Sequence, residues 1–423
     1  MAEIRPLNAI HYATDVDLDA VVGPPYDVID AEGRAALLAR SPHNVVEIDL
    51  PVDEAYDASA ATLARWLEEG VLVRDDAPAI WALQQSYTGP DGESRTRNGF
   101  FAAVRVTDYG PGRIRPHERT HPGPKEDRLR LTRATRTNLS PIFSLYSDPT
   151  GLAWGALAPF VSEDAPFGET RDADGTVNRL WRVDDPETLV TVTAALSDAE
   201  LLIADGHHRY ETARVYAEEV AAANGGDPGG AGWVLMCLVA LEDPGLTVFP
   251  THRLVRGRGA ERYEALAAAL REDFVVEELP SVDALAPGGD ESDGPLVLGY
   301  LDSHFRKPYR LRLRDAARGA AALPDAPPAL QQLDTAVLEA LLLKGPLELT
   351  DDDVSHLHDF GYARDARQAV ELVESGAFDV AFLLRPTPVE QVREVAASGV
   401  SMPPKSTYFY PKVPTGLVLH PLA

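Results

Sequence analysis

The sequence contains a single cysteine, Cys237, so no internal disulfide bond can form. This residue lies in the apolar run VLMCLVAL, where a buried, unreactive thiol is expected. The first residues lack a basic start followed by an apolar stretch, and no run approaches the ~18 apolar residues of a membrane helix. We therefore expect a cytoplasmic protein with no membrane partner.

Basic residues are scarce relative to acidic ones. There are 39 Lys and Arg against 66 Asp and Glu, which gives a net charge of -27. Such a charge repels nucleic acid phosphates unless basic residues concentrate on one face, and neither a basic arm nor a helix-turn-helix pattern stands out. No nucleic acid partner is expected.

Several familiar motifs are missing as well. The sequence has no G-x-x-x-x-G-K-[ST], no G-x-G-x-x-G after a strand, no G-x-S-x-G and no paired C-x-x-C. These absences argue against a Walker nucleotide site, a dinucleotide-binding fold, a serine hydrolase and a structural zinc knot.

What is present is an alternation of strand-like and helix-like patterns. NVVEIDL (44–50) and AIWALQQSYT (79–88) are typical of strands, and ASAATLARWLEEG (58–70) is typical of an amphipathic helix. A GPDG turn then predicts a hairpin into NGFFAAVRV (98–106). Adjacent strands with interleaved helices indicate an α+β or mixed α/β fold with mixed sheets.

Stretches rich in Gly, Pro and Asp suggest seams between structural segments, for example NGGDPGGAG and ARGAAALPDAPP. We predict an amino-terminal α/β body (1–223), a middle α/β segment (224–329) and a carboxy-terminal α/β segment (330–423) that packs back on the body. One large domain is the alternative.

The most informative stretch is ELLIADGHHRYETARVYAEEV (200–220). An apolar strand runs into a polar turn, and a helix with one apolar face follows. The turn consists of Asp205, Gly206, His207, His208 and Arg209. Helix amides and a glycine favour an anion there, Arg209 can contact phosphate, and the histidines can transfer protons. The alternative is that Asp205 only caps the helix.

A second stretch, RPHERTHPGPKEDR (115–128), contains His117, Glu118 and His121 in the order H-E-x-x-H. A zinc hydrolase needs that motif on a continuous helix, whereas a proline at 122 restricts His121 and interrupts the pattern. The residues instead favour His117 and Glu118 as acid, base or Mg²⁺ ligand, with Lys125 and Arg128 as countercharges for a phosphorylated substrate. A solvated loop of mixed charge remains open.

The tail SMPPKSTYFYPKVPTGLV (401–418) is dense in Pro, Tyr and Lys. The diproline stiffens the backbone and presents Lys405, for which a phosphate or carboxylate contact is the functional hypothesis. A strand or clasp that closes the fold is the alternative.

Together the motifs resemble an uncharacterised prokaryotic family, domain of unknown function 1015. The resemblance rests on PPYDVI, HERT with KEDR, ADGHHRYETA, FPTHRLV, FLLRPTPVEQV and MPPKSTYFYPKVPTGLV. The DGHHR turn is also similar to the phosphate-binding turn of the ParB and sulfiredoxin superfamily, which includes free serine kinases. That resemblance implies a ParB/sulfiredoxin-like core and assigns nucleotide or substrate phosphate to residues 205–209. It further implies that Glu118 acts as base or Mg²⁺ ligand, with ATP or ADP as cosubstrate.

The resulting hypothesis is an enzyme of phosphoryl transfer or phosphate-ester hydrolysis on a small phosphorylated metabolite, with serine or phosphoserine as the named substrate. A non-catalytic nucleotide- or ligand-sensing regulatory protein is the alternative, and a zinc-dependent hydrolase is less favoured. The sequence does not predict the oligomeric state.

Overall fold

The computed structural model describes residues 2–89, 91–118, 122–288 and 296–422, with the backbone alone at 122–124 and Ser355. The chain divides into two compact units. The first unit combines Met1–Thr247 with Pro411–Ala423, and the second is the continuous segment Val248–Tyr410. Each is described by itself.

The first unit interleaves strands and helices along the chain. Its strands are β1 (Ile4–Arg5), β2 (Ile10–Tyr12), β3 (Leu72–Arg74), β4 (Ile80–Thr88), β5 (Ser94–Arg105), β6 (Ile114–Arg115), β7 (Thr137–Asn138), β8 (Ile142–Tyr146), β9 (Gly168–Arg171), β10 (Val177–Val183), β11 (Leu201–Asp205) and β12 (Trp233–Ala240). Its helices are α1 (Leu18–Val21), α2 (Ala31–Arg40), α3 (Val46–Asp49), α4 (Tyr56–Glu68), α5 (Pro122–Thr135), α6 (Leu152–Glu163), α7 (Pro186–Ala195) and α8 (His207–Ala223).

A mixed sheet organises this unit, in the order β6-β11-β8-β12-β5-β4-β10-β9, with β1 also paired to β5. The β6–β11 and β8–β12 pairs are parallel, and the other pairs are antiparallel. Side chains alternate across a strand, so Ile80 and Ala82 enter one apolar core while Gln85 of β4 lies on the opposite face. That opposite face carries the polar groups considered below.

The second unit has its own elements. They are β13 (Thr247–Phe249), which begins at the boundary, β14 (His252–Val255), β15 (Phe274–Glu278), β16 (Val297–Asp302), β17 (Tyr309–Leu313), β18 (Phe360–Ala363), β19 (Val380–Leu383) and β20 (Tyr408–Tyr410), with α9 (Gly259–Asp273), α10 (Ala316–Ala321), α11 (Pro328–Gln331), α12 (Asp334–Leu338), α13 (Asp351–His356), α14 (Ala366–Glu374) and α15 (Val389–Ala397).

Its sheet runs in the order β15-β17-β16-β19-β14-β18, and the neighbouring strands are antiparallel. Buried apolar clusters form from its strands and helices, one around Phe274 and Phe382 and one around Leu254 and Leu383. The chain then returns to the first unit, where β21 (His420–Pro421) pairs with β7. The predicted mixed α/β fold is thus confirmed.

Two local features differ from the sequence analysis. NVVEIDL contains the helix α3 instead of a strand, because Asn44 accepts a hydrogen bond from the Val46 amide (3.1 Å) and donates to the carbonyls of Ala20 and Val22. The unit boundaries fall at 247/248 and 410/411, whereas we had drawn segments at 223/224 and 329/330. Residues after 223 supply β12, a central strand of the first sheet, which explains the difference.

Within the described ranges, no helix combines the length and apolar character needed to cross a lipid bilayer. Cys237 is fully buried, and burial raises the pKa of its thiol to about 12. The thiol therefore stays protonated, in line with the predicted inert role.

Candidate functional site

The DGHHR turn joins β11 to α8, as its pattern predicted. Gly206 sits at φ +94°, a left-handed conformation that side chains with a Cβ rarely adopt. A Cβ there would also lie 3.0 Å from Cζ of Arg209. The N-cap of α8 is Gly206, which has no side chain with which to cap the helix. The amides of the first turn lie at the positive end of a helix of 17 residues.

Asp205 lies between two cations at this turn. Its Oδ1 accepts from Nζ of Lys412 at 2.7 Å, and its Oδ2 accepts from Nη2 of Arg209 at 2.8 Å. Burial alone would raise the pKa of Asp205, but Lys412 and Arg209 outweigh it and hold the pKa well below its usual range. Asp205 is therefore ionised, and each of its two oxygens holds a cation in place.

The H-E stretch meets the DGHHR turn directly. The backbone amide of His117 donates to Nε2 of His207 at 3.3 Å, and the two imidazole centroids are 4.7 Å apart. His117 is 0% exposed and His207 is 7% exposed. Burial lowers the pKa of both imidazoles, so both are neutral near pH 7. Two segments about ninety positions apart thus share one site.

The imidazole of His117 and the carboxylate of Glu118 lie side by side. Nδ1 of His117 lies 2.7 Å from the carbonyl of Ile203, which can only accept, so Nδ1 carries a hydrogen. The other nitrogen, Nε2, lies 3.8 Å from Oε1 of Glu118. Because Glu118 is 26% exposed at its side chain, it can reach a bound substrate, and His117 can support it from behind.

The predicted cations are placed unequally. Arg128 is buried, and its guanidinium donates to the Asp49 carbonyl at 2.6 Å and to Oδ2 of Asp127 at 2.7 Å. Arg209 also donates to the Pro141 carbonyl, in addition to Asp205. Both guanidiniums thus already donate to protein groups, and a substrate would contact their remaining N–H groups or replace one of these partners.

The other predicted basic residues are Lys125 on α5, His208 on α8 and Lys405. Nζ of Lys125 lies 3.9 Å from Oε2 of Glu211, and its side chain is 35% exposed. His208 is partly buried on the first turn of α8. Lys405 belongs to the second unit, where it is exposed and its carbonyl accepts from Arg253 at 3.1 Å. Its predicted role in holding phosphate stays a prediction.

Tyr26 lies between Arg128 and Arg209. Its ring centroid lies 4.2 Å from Cζ of Arg128 and 6.0 Å from Cζ of Arg209. A cavity of about 40 Å³ lies beside them and is also lined by Ser140. That volume suits water and is far too small for a nucleotide. These ring contacts of Tyr26 are cation–π contacts with arginine side chains.

Sequence reasoning missed Lys412 and the groups that hold it. Arg97 is 1% exposed, and its guanidinium donates to the Gln85 side chain and, at 2.6 Å, to the Pro411 carbonyl. Gln85 in turn donates to the Lys412 carbonyl at 3.1 Å and to Asn178 at 2.7 Å. Burial lowers the pKa of Arg97 to about 10. This buried network fixes the backbone beside Lys412. The tail contains two Pro-Lys pairs, Pro404-Lys405 and Pro411-Lys412. The sequence analysis names the lysine of the first pair, whereas the structure places the lysine of the second pair at the turn.

The described residues fit Mg²⁺ in one limited way. Within those ranges no group of three or more His, Cys, Asp or Glu side chains converges on a metal position, and His121 lies outside them. Asp205 is occupied by its two cations, which leaves Glu118 as the carboxylate at this turn. Magnesium bound through one carboxylate together with substrate oxygens and water is compatible with that arrangement, whereas a catalytic zinc needs three protein ligands.

Comparison with known proteins gives distant structural likenesses. A conserved hypothetical protein from Pyrococcus furiosus matches with a TM-score of 0.34 and 15% identity over 72% of this chain and 92% of that one. A free serine kinase in complex with AMP matches with a TM-score of 0.35 and 15% identity, over 72% of this chain and 88% of that one. SbnI with a C-terminal truncation, from Staphylococcus aureus, matches with a TM-score of 0.37 and 12% identity, over 76% of this chain and 87% of that one. TM-scores this low support no argument about this chain.

No curated protein matches the chain in sequence. A family model does, over residues 4–373, and it bears the description "Protein of unknown function (DUF1015)". The match covers most of the chain and includes the H-E stretch, the DGHHR turn and FPTHRLV. The chain therefore belongs to the DUF1015 family, as its motifs predicted.

Proposed function

We propose that the first unit transfers or hydrolyses a phosphoryl group on a small metabolite, with serine or phosphoserine as the substrate to test first. The observation that carries the proposal is the meeting of the His117–Glu118 pair with the uncapped start of α8. One element supplies a proton acceptor, and the other supplies amide donors for an anion. Serine is named because of the resemblance of the DGHHR turn to free serine kinases.

The phosphate would bind at the first turn of α8. Backbone amides at a helix start and the helix dipole favour an anion there, and Gly206 lets the phosphate approach the backbone. Lys412 and Arg209 add two positive charges, of which Asp205 neutralises one. These two cations would offset part of the charge of a bound phosphate in a protein whose net charge is -27.

The reacting hydroxyl would face Glu118. In the kinase direction, Glu118 accepts the proton of the substrate hydroxyl. The hydroxyl oxygen forms a bond to the γ-phosphorus of ATP while the bond from that phosphorus to the leaving ADP breaks. In a phosphatase direction, water takes the place of that hydroxyl. His117 positions Glu118, because its Nδ1 is fixed by the Ile203 carbonyl and its Nε2 faces the carboxylate. Magnesium held by Glu118 and phosphate oxygens would neutralise charge on the phosphoryl group.

The test is phosphorus NMR of the full chain with Mg²⁺, in parallel with phosphoserine alone, phosphoserine plus ADP, and serine plus ATP. We expect inorganic phosphate in the first case for a phosphatase, or exchange between nucleotide and phosphoserine for a kinase. Glu118→Gln and Lys412→Met should each reduce the rate by about a hundredfold or more, since one removes the base and the other a positioned countercharge.

The matched control is Glu219→Gln on the far part of α8, where the carboxylate pairs with Arg133 on the surface at 2.6 Å. This variant should keep the full rate. An unchanged rate in Glu118→Gln would refute the proposed base. Tight nucleotide binding without turnover in any sample would replace the enzyme by the ligand-sensing alternative.

A further inference from the structure

The second unit contains a cavity of ligand size that the proposed chemistry does not use. Its volume is about 500 Å³, within the range of small-molecule sites. It lies between α10, α11 and α12 and the loop that joins β19 to α15. Leu313, Val337 and Pro386 give it apolar walls, and alanines of α10 line one side.

An ion pair of two well-buried side chains lines this cavity. Nε and Nη2 of Arg385 donate to Oδ2 and Oδ1 of Asp334 at 2.8 and 2.9 Å. Each side chain is 13% exposed. Burial raises the pKa of Asp334, while Arg385 opposes that effect. The carboxylate therefore depends on a nearby cation to stay ionised.

Two motifs without an assigned role build this region. FLLRPTPVEQV supplies Arg385 and Thr387, and the MPPKST segment supplies Ser406. The Thr387 hydroxyl donates to the Ser406 carbonyl at 3.0 Å, and the Ser406 hydroxyl lies 2.8 Å from that of Thr335, next to Asp334. These bonds fix the loop and the helix start that carry the two charges, so the cavity is preorganised.

The charges select among ligand classes. An anion would be attracted by Arg385 but repelled by Asp334. A cation would be attracted by Asp334 but repelled by Arg385. A ligand that carries both charges can take over both partners, with its carboxylate accepting from Arg385 and its ammonium donating to Asp334. The ion pair is then replaced by two equivalent pairs, so no charge is left buried without a partner.

We propose that this cavity binds a small zwitterion of the α-amino acid class. Its ammonium group would bind Asp334 and its carboxylate Arg385. The side chain would lie against the apolar wall formed by Leu313, Val337 and Pro386. This site is separate from the proposed phosphoryl chemistry and does not depend on it.

The experiment is isothermal titration calorimetry of the full chain with L-leucine, L-glutamine and L-methionine, compared with leucinamide and N-acetyl-L-leucine. These two analogues each keep one charge of leucine. We expect at least one of the three amino acids to bind, and for leucine we expect each analogue to be weaker by about tenfold or more, because one charged contact is lost. Absence of heat with all three amino acids, or equal binding of leucine and its analogues, would overturn the proposal.

Variants separate binding from folding. Arg385→Gln and Asp334→Asn should each abolish the heat. Ala317→Trp fills the cavity from α10 and leaves the ion pair intact, so it should abolish binding while the thermal unfolding curve is kept. The matched control is Arg367→Gln, which removes an exposed pair with Glu371 away from the cavity and should bind like the parent. Full binding by Ala317→Trp would place the ligand elsewhere and overturn the assignment.

Discussion

Buried histidines give the molecule a specific sensitivity to acid. His117, His207, His252 and His420 are each between 0% and 7% exposed. Burial is the first cause that lowers each pKa, to about 4 for His252 and His420. The unfolded chain binds a proton at each near pH 6.5, and the folded chain does not. Stability is therefore full above about pH 6.5 and falls as the pH drops below it, by up to about 1.4 kcal/mol per pH unit for each histidine.

His420 offers the clearest test of this effect. Neither ring nitrogen has a hydrogen-bond partner, so His420→Leu removes an ionisable group without breaking a bond. We expect unchanged or slightly higher stability at pH 7 and a smaller loss between pH 7 and pH 5, because one fewer buried group must be protonated. Urea denaturation at the two pH values measures the difference.

The control is Val190→Leu at an exposed position of α7, which removes no ionisable group and should leave the pH dependence as it is. A loss of more than about 1 kcal/mol at pH 7 in His420→Leu would contradict the absence of ring partners.

Local patterns predicted most elements that surround the site. The strand, turn and helix of residues 200–220 followed from an apolar run, a glycine and one apolar helix face, and the structure has them as β11 and α8. The strand predicted for NVVEIDL is wrong, because this helix of four residues depends on the hydrogen bond from the Val46 amide to Asn44 and on the long-range bond from Arg128 to the Asp49 carbonyl. Periodicity does not encode either bond. Elements fixed by their own residues are thus predictable, and elements fixed by distant partners are not.

The conformation of Gly206 gives a prediction about the start of α8. Gly206→Ala places a Cβ at φ +94° and 3.0 Å from Nε and Cζ of Arg209, so it should strain the turn and displace the guanidinium. We expect a loss of stability of about 1 to 2 kcal/mol and a large loss of phosphoryl transfer. Thermal unfolding and the phosphorus NMR assay measure the two effects.

Gly175→Ala separates backbone strain from crowding. Gly175 has φ +85°, yet a Cβ there meets nothing within 4 Å. Gly175→Ala should lower the free energy of unfolding by about as much as Gly206→Ala does, and it should keep the rate in the phosphorus NMR assay. Equal loss of activity in both would mean that Arg209 has no part in the site.

At the scale of the molecule, the second unit is inserted into the first. The first unit resumes at Pro411, and this return brings Lys412 to Asp205 across 207 positions. Nothing in the local pattern of either residue specifies that pairing, which explains why we favoured Lys405 as the cation of the tail. The DGHHR turn could be found from sequence, but the lysine that completes it required the fold.

The continuous second unit should fold by itself. A fragment of Val248–Tyr410 contains its own sheet and both buried clusters. We expect a single cooperative thermal transition by circular dichroism, since the core is complete within the fragment. A shorter fragment that ends at residue 400 lacks Ser406, the partner of Thr387 and Thr335, and should unfold at a lower temperature. A broad, non-cooperative melt of the longer fragment would contradict an autonomous unit.

The late arrival of Lys412 has a consequence during synthesis on the ribosome. At about 5 to 20 residues per second, Asp205 is made on the order of 10 to 40 s before its lysine partner. Over that interval Asp205 has only Arg209 of its two cationic partners, and Arg97 lacks the Pro411 carbonyl as an acceptor. The proposed site is therefore assembled only after the whole inserted unit has been translated, so we expect a stalled or shortened translation product to lack the pair of Lys412 with Asp205.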